Sequence, residues 1–234
     1  MSLRLSRGTH LPDHAFGWGQ LVYAASGVAR VTTDRGHWVL PVGRALWVPP
    51  DVRHVLHCVT SIDLRTLYFP PDGLPALDRS CTVVEVGSLL RELILRAVAV
   101  ALDSSPVQRR LLAVLYDELA VAPGESLHLR LPSDPAAAKL ATKILEQEAF
   151  TVSLDELTIG LGASRRTLER RFRDQTGLGL GAWYRQARFQ RSLLLLGNGE
   201  SVGAVAAACG YSSVSAFVAA FRRQANTTPA RYFS

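Results

Sequence analysis

"LDELTIGLGASRRTLERRF" (residues 154–172) and "VGAVAAACGYSSVSAFVAAF" (residues 202–221) are two copies of one pattern, and their reading decides the fold. Leu154, Leu157, Leu161 and Gly162 recur 48 positions later as Val202, Val205, Cys209 and Gly210. Beyond the glycine the spacing becomes 49, so that Ser164, Leu168 and Phe172 return as Ser213, Phe217 and Phe221. Apolar residues three and four apart define one face of a helix. A serine just before such a run can cap the orphan N–H groups of the first turn. Glycine between the runs permits a left-handed backbone at little cost. Each copy is therefore predicted as a short helix, a glycine turn, a serine cap and a second amphipathic helix. That is the layout of a helix-turn-helix, here present twice. "SLDE" at 153–156 adds a capping box to the first copy.

Between the copies, "LGAWYRQARFQRSLLLL" (180–196) reads as one long helix. The charge is unevenly spread. Residues 1–132 hold 13 Arg against 12 acidic residues, whereas residues 133–234 hold 11 Arg and 2 Lys against 8, so a net +5 of the total +6 lies in the last hundred residues. Basic charge gathered in one half indicates a polyanionic partner, nucleic acid before membrane. No apolar run approaches the roughly 18 to 20 residues of a membrane helix, and the opening "MSLRLSRGTHLPDH" lacks the apolar segment of a secretory signal. Three widely spaced cysteines, Cys58, Cys81 and Cys209, do not suggest a disulfide framework, which makes a reducing cytoplasm the simplest setting.

The last hundred residues resemble the DNA-binding domain of the AraC/XylS family of bacterial transcription regulators. The resemblance is carried by "LGASRRTLERRFRDQTGLG" (161–179), "YRQARFQRSLLLL" (184–196), "VAAACGYSSVSAFVAAFRRQ" (205–224) and "TTPARY" (227–232). It implies that the second helix of each copy enters the major groove of double-stranded DNA. In the first copy it places Arg166, Glu169 and Arg170 at base-contacting positions, with Arg165 and Arg173 on phosphates. Arginine suits guanine and glutamate suits cytosine in the major groove. In the second copy the outward positions are Val214, Ser215, Val218 and Ala219, where the family commonly has polar or basic groups, and Ser213, Arg222 and Thr228 are the phosphate candidates. Specificity is therefore expected mainly from the first copy. Two further departures are Asn226, where the family usually has glycine, and Thr158, where a small alanine is usual.

The first eighty residues read as β structure. Segments such as "QLVYA" (20–24), "VARVTT" (28–33), "HWVLP" (37–41), "ALWVP" (45–49), "HVLHCV" (54–59) and "LRTLYF" (64–69) alternate with turn-formers, which indicates a sandwich or small barrel. "SLLRELILRAVAVAL" and "SPVQRRLLAVLYDELA" then turn helical; Leu93, Leu111 and Leu115 could cover the barrel or serve a dimer interface. "APGESLHLRLPSDP" reads as a linker. "GRALWVPPDVRH" (43–54) is similar to a second cupin motif, with Asp51 replacing glycine, and "HAFGWGQ" (14–20) stands where the first motif would be, with Phe16 and Gln20 at two ligand positions. The pattern leaves His14 and His54 of the three or four ligands a metal site needs, a weak alternative that His10 and His57 could complete by proximity; ordinary polar residues in a barrel mouth are the favoured reading. No cofactor is implied. An effector pocket lined by His14, Trp18, Tyr23, Arg30, Trp47, His54 and Tyr68 is expected instead.

The expected fold class is α+β: residues 1–80 a cupin-like β-barrel, 81–121 a helical connector, 122–134 a linker and 135–234 an all-α double helix-turn-helix domain. The expected function is a cytoplasmic, non-enzymatic transcription regulator that binds double-stranded DNA as a homodimer under a small-molecule effector, with RNA polymerase as a further partner. A metal-dependent cupin enzyme fused to a DNA-binding domain and an effector-independent DNA binder are the alternatives.

Overall fold

The computed structural model describes residues 1–15, 17–71, 80–99, 105–125 and 127–233, with the side chains of residues 13, 14 and 125 outside that description. The chain divides into two compact domains, Met1–His128 and Leu129–Ser234.

The N-terminal domain is built on two antiparallel sheets. One has the order β1-β8-β3-β6-β9-β10, from Ser2–Leu5, Ile62–Phe69, Gly19–Ser26, Arg44–Val48, Thr82–Glu85 and Gly124–Glu125. The other has the order β11-β5-β4-β7-β2, from His128–Arg130, Gly36–Leu40, Ala29–Thr33, His54–Cys58 and His10–His14; of β11 only His128 belongs to this domain. The sheets form a sandwich, one of the two architectures the strand spacing indicates, and do not close into a barrel. Sequence alternation explains the layering. β4 and β7 alternate buried with half-buried residues because only one face of their sheet is covered. β3 is buried continuously from Gly19 to Ala24 because both of its faces are covered.

The second cover is helical. α1 (Ser88–Ala99) and α2 (Pro106–Val121) bring Leu90, Ile94, Leu115 and Leu119 against Leu21, Tyr23, Ala45, Trp47 and Phe69. Leu93 and Leu111 pack partly against the same cluster, so these helices cover the sheet of their own chain. α2 starts as its sequence dictates: the Ser105 hydroxyl accepts from the Gln108 N–H, and Pro106 occupies the first turn. The segment expected as a linker, 122–134, holds β10 and β11, and its Leu127 and Leu129 are 3% and 0% exposed. Two buried leucines at strand spacing outweigh the Pro, Gly and Ser content around them. Strands β1, β2 and β9 were also not foreseen. Each is short, and β1 and β2 offer few apolar residues to mark them.

The C-terminal domain is all-helical: α3 (Pro135–Leu145), α4 (Leu154–Thr158), α5 (Arg165–Thr176), α6 (Leu180–Gly197), α7 (Val202–Ala208), α8 (Val214–Ala225) and α9 (Pro229–Tyr232). The 49-residue offset holds from cap to cap, with Ser164 and Ser213 accepting from Thr167 and Ala216 N–H groups. Ser153 and Glu156 form the reciprocal capping box. Leu168, Phe172, Leu180 and Trp183 form the core of the first half, where the Trp183 indole N–H donates to the Arg130 carbonyl at 2.7 Å. Phe189, Phe217, Phe221 and Tyr232 hold the second half through edge-to-face contacts, with ring centroids 5.2 to 5.8 Å apart. Among the described residues no helix is long and apolar enough to cross a membrane, and Cys58, Cys81 and Cys209 are free thiols.

Candidate nucleic-acid interface and ligand pocket

α5 buries Leu168, Phe172 and Thr176 on one face. The opposite face carries Arg165, Arg166, Glu169, Arg170 and Arg173 at the i, i+3, i+4 spacing that makes a continuous stripe. These residues are not equivalent. Arg165 is ion-paired with Asp155 of α4, and Arg173 with Glu169 one turn back at 3.5 Å. Glu169 also lies over Gly179, where any side chain would collide with its carboxylate. On the flank, Arg171 pairs with Asp134 at 2.8 Å and Asp134 caps α3, tying α5 to the start of the domain. Arg166 and Arg170 are exposed and make no ion pair with the described residues. They form the free cationic centre of the stripe, and of the three base-contact candidates only Glu169 is already engaged.

α8 presents a different surface. Phe217 and Phe221 are buried, while Val214 (47% exposed), Ser215 and Ala219 are open and Val218 is half-buried. The helix has no acidic residue; its cations, Arg222 and Arg223, sit in the last turn. Ser213 caps α8 and Thr228 caps α9 by accepting backbone N–H bonds, which leaves each hydroxyl hydrogen available to donate. The turns before the two helices use Gly162 (φ +66) and Gly210 (φ +69). Asn226, the repeat counterpart of Gly177, ends α8 in the left-handed conformation at φ 54. The Thr158 hydroxyl donates to the Asp155 carbonyl at 2.6 Å and so is satisfied within its own short helix.

In the N-terminal domain a pocket of about 180 Å³ opens between the two sheets. Gln20, Val22, Leu64, Thr66 and Tyr68 line it from one sheet, and Leu11, His54 and Leu56 from the other. The His54 ring is held by its Nδ1–H donating to the Val52 carbonyl at 3.0 Å; a carbonyl can only accept, so the proton is on Nδ1. Val52 follows Asp51, whose φ of 61 is the left-handed conformation that the motif's glycine would adopt.

His54 and Tyr68 of the expected effector residues line this pocket. Tyr23 and Trp47 sit on the opposite face of their sheet, beneath α1 and α2. Arg30 pairs in register with His57 and shares its outer face, between the buried Ala29 and Val31. Trp18 is 50% exposed. His14 pairs in register with His54, and its side chain, like all of Phe16, lies outside the described residues. His10 and His57 stack on each other at 4.2 Å, with His57 an odd number of residues along β7 from His54 and so on the other face. No group of three or more metal-ligating side chains occurs among the described residues. Gln20 and Thr66 were missed as lining residues. Strand parity identifies them, since Gln20, Val22 and Thr66 share the face that Tyr23 avoids.

Comparison with known proteins accords with this two-part architecture. Residues 4–120, half of the chain, match an AraC-like ligand binding domain, and residues 157–234 match a helix-turn-helix domain. The chain is similar to the HTH-type transcriptional regulator NimR of Escherichia coli, with 29% identity over 95% of this chain and 82% of that protein. It is also similar to the Xylose operon regulatory protein of Escherichia coli, with 24% identity over 95% of this chain; there it spans only 55% of the relative's length. Among solved structures, ToxT from Vibrio cholerae aligns over 100% of this chain and 96% of its own, with 13% identity and a TM-score of 0.42. The chain belongs to the AraC family of transcriptional regulators, with a ligand-binding N-terminal domain and a helix-turn-helix DNA-binding domain.

Proposed function

We propose that this regulator reads double-stranded DNA mainly through α5 and is controlled by a small molecule held in the inter-sheet pocket. The observation that carries the reading is the contrast between the two recognition helices: Arg166 and Arg170 are exposed and unpaired on α5, while the matching face of α8 offers Val214, Ser215, Val218 and Ala219. Free guanidinium groups suit bidentate recognition of guanine, and Glu169 can turn from Arg173 to a cytosine amine. Valine and alanine can only meet thymine methyls, and Ser215 adds one adaptable hydrogen bond. Arg165, Arg173, Ser213, Arg222 and Thr228 hold phosphates and so set position without reading sequence.

The remaining parts of the reading are a homodimer that acts in the cytoplasm, meets RNA polymerase and catalyses no reaction. Exposed Val107, Val114 and Val121 support the dimer, since residues seven apart on α2 share one face and leave an exposed apolar stripe for a second copy. The test is to map the bound DNA genome-wide and then substitute base pairs one at a time in each half of the recovered site. Larger affinity losses in the half contacted by α5 are expected. Equal or larger losses in the other half would overturn the assignment.

A further inference from the structure

We infer that the inter-sheet pocket takes a small, uncharged, largely apolar molecule carrying one N–H or O–H donor, and that the Gln20 side-chain carbonyl is the acceptor that reads it. This rests on the pocket being the effector site and adds the chemical class of the effector.

Gln20 is 6% exposed and its Oε1 has no hydrogen-bond partner. One of its two amide N–H groups is already used. Gln20 and Tyr68 are cross-strand neighbours in register, and Gln20 donates to the Tyr68 hydroxyl, which offsets part of the upward push that burial gives the Tyr68 pKa. With one amide N–H directed at Tyr68, the buried Oε1 is the acceptor left without a partner, on a pocket wall otherwise made largely of Val22, Leu56 and Leu64. A buried acceptor left without a donor is costly, and that cost is removed when a ligand donor arrives.

The ligand's remaining properties follow from the walls. Among the described residues no Asp, Glu, Lys or Arg side chain lines the pocket, and the Met1 ammonium beside it is engaged with the Thr66 carbonyl at 2.8 Å, so a charged ligand would find no free counter-ion there, which is strongly unfavourable. The volume of about 180 Å³ is slightly larger than a cavity of roughly 150 Å³ that accepts benzene. A molecule of about six to eight non-hydrogen atoms fits. A hydroxylated or N–H-bearing single ring has the required size, polarity and lone donor.

Phenol, toluene and benzoate, titrated calorimetrically into the purified full-length protein, test the inference. Phenol and toluene match in size and differ in the donor; benzoate adds charge. Phenol is expected to bind roughly tenfold more tightly than toluene, with benzoate weaker than phenol. In Gln20→Leu, checked for folding by thermal melting, phenol and toluene should bind alike. The wild-type comparison needs no variant, so misfolding of Gln20→Leu cannot mask the result. Equal binding of phenol and toluene to the wild type, tighter binding of benzoate, or no saturable binding of any of the three overturns the inference. The effector-site reading is tested separately by Leu56→Trp, which fills the pocket; it falls if reporter expression from a mapped promoter is unchanged by that variant.

Discussion

A Cβ on Gly210 would collide with the carbonyl oxygen of Phe150. The two residues are held together because the Phe150 N–H donates to the Ala208 carbonyl at 2.8 Å, which lays the loop before α4 against the turn of the second helix-turn-helix. At the equivalent Gly162 an added Cβ meets nothing within 4 Å. The two turn glycines therefore serve different constraints.

Gly162→Ala should cost only its left-handed backbone, about 1–2 kcal/mol. Gly210→Ala carries the same penalty and must also displace backbone, which cannot rotate away as a side chain can. Urea denaturation of the full-length protein should show Gly210→Ala as the more destabilised variant by more than about 1 kcal/mol. Equal losses would mean that the Phe150 contact yields freely.

Asn226 occupies a glycine position at φ 54. Asparagine tolerates this conformation better than other side chains but less well than glycine. Asn226→Gly should leave stability unchanged or raise it by up to about 1 kcal/mol, whereas Asn226→Val should lower it by about 1–2 kcal/mol or more. Melting temperatures of the two variants decide the point; a gain with valine would contradict the geometry.

The two helix-turn-helix copies and the long helix between them were legible almost residue by residue, because their signals are local, whereas α3 and its Asp134 cap were not read. Ser153, Ser164, Ser201 and Ser213 each cap the helix they precede, and caps, periodicity and turn glycines all act within a few residues. The N-terminal domain was legible as strands but not as faces. Tyr23 and Trp47 read as pocket aromatics by type, yet the pairing of β3 with β6 and β8 turns both toward α1 and α2. Which face of a strand meets the second sheet depends on non-local pairing, and a one-residue change of phase moves every side chain to the other side. Gln20 was noticed only as a missing ligand of a motif. Its value as an unpaired acceptor appears once Tyr68 is placed beside it.

His37 links the N-terminal domain to pH. Burial first and the charge of Arg30 second lower its pKa to about 4 from 6.5, while a ring nitrogen keeps the Thr32 hydroxyl at 2.9 Å. A histidine depressed in the folded state leaves stability unaffected above its unfolded pKa. As pH falls from about 6.5 to about 4 the unfolded chain takes up a proton that the folded chain refuses. Stability should decline across that window by up to about 3 kcal/mol from this group. His57, lowered by burial, His10 and Arg30, pushes in the same direction. Urea unfolding at pH 7.5 and 4.5 should show a smaller acid loss in His37→Gln than in the wild type; identical losses would exclude His37 as the source.

The valine seam on α2 gives a prediction about assembly. Val114 is 43% exposed, between Val107 and Val121 at 66% and 76%, and belongs to no buried cluster, so charge there disturbs little core packing within the chain. Val114→Glu, placed between them, should shift sedimentation toward monomer while the melting temperature at high dilution stays close to wild type. A stable dimer in this variant would place the interface elsewhere.

The contrast between the recognition helices predicts two kinds of DNA-binding defect. Arg166→Ala and Arg170→Ala remove free guanidinium groups from the middle of the α5 stripe. Each should cost about 1–3 kcal/mol on the preferred site and relax the choice of base at one position. Arg222→Ala removes a cation from the last turn of α8, and as a phosphate contact it should weaken all sequences alike and reduce the salt slope by about 1. Val218→Ala should shift preference only at a thymine, and by less than either arginine change, because a methyl contact lacks a bidentate pair. Fluorescence anisotropy on a panel of single-base variants, repeated at two salt concentrations, separates these outcomes. A loss of base preference in Arg222→Ala, with none in Arg166→Ala or Arg170→Ala, would reverse the roles given to the two helices.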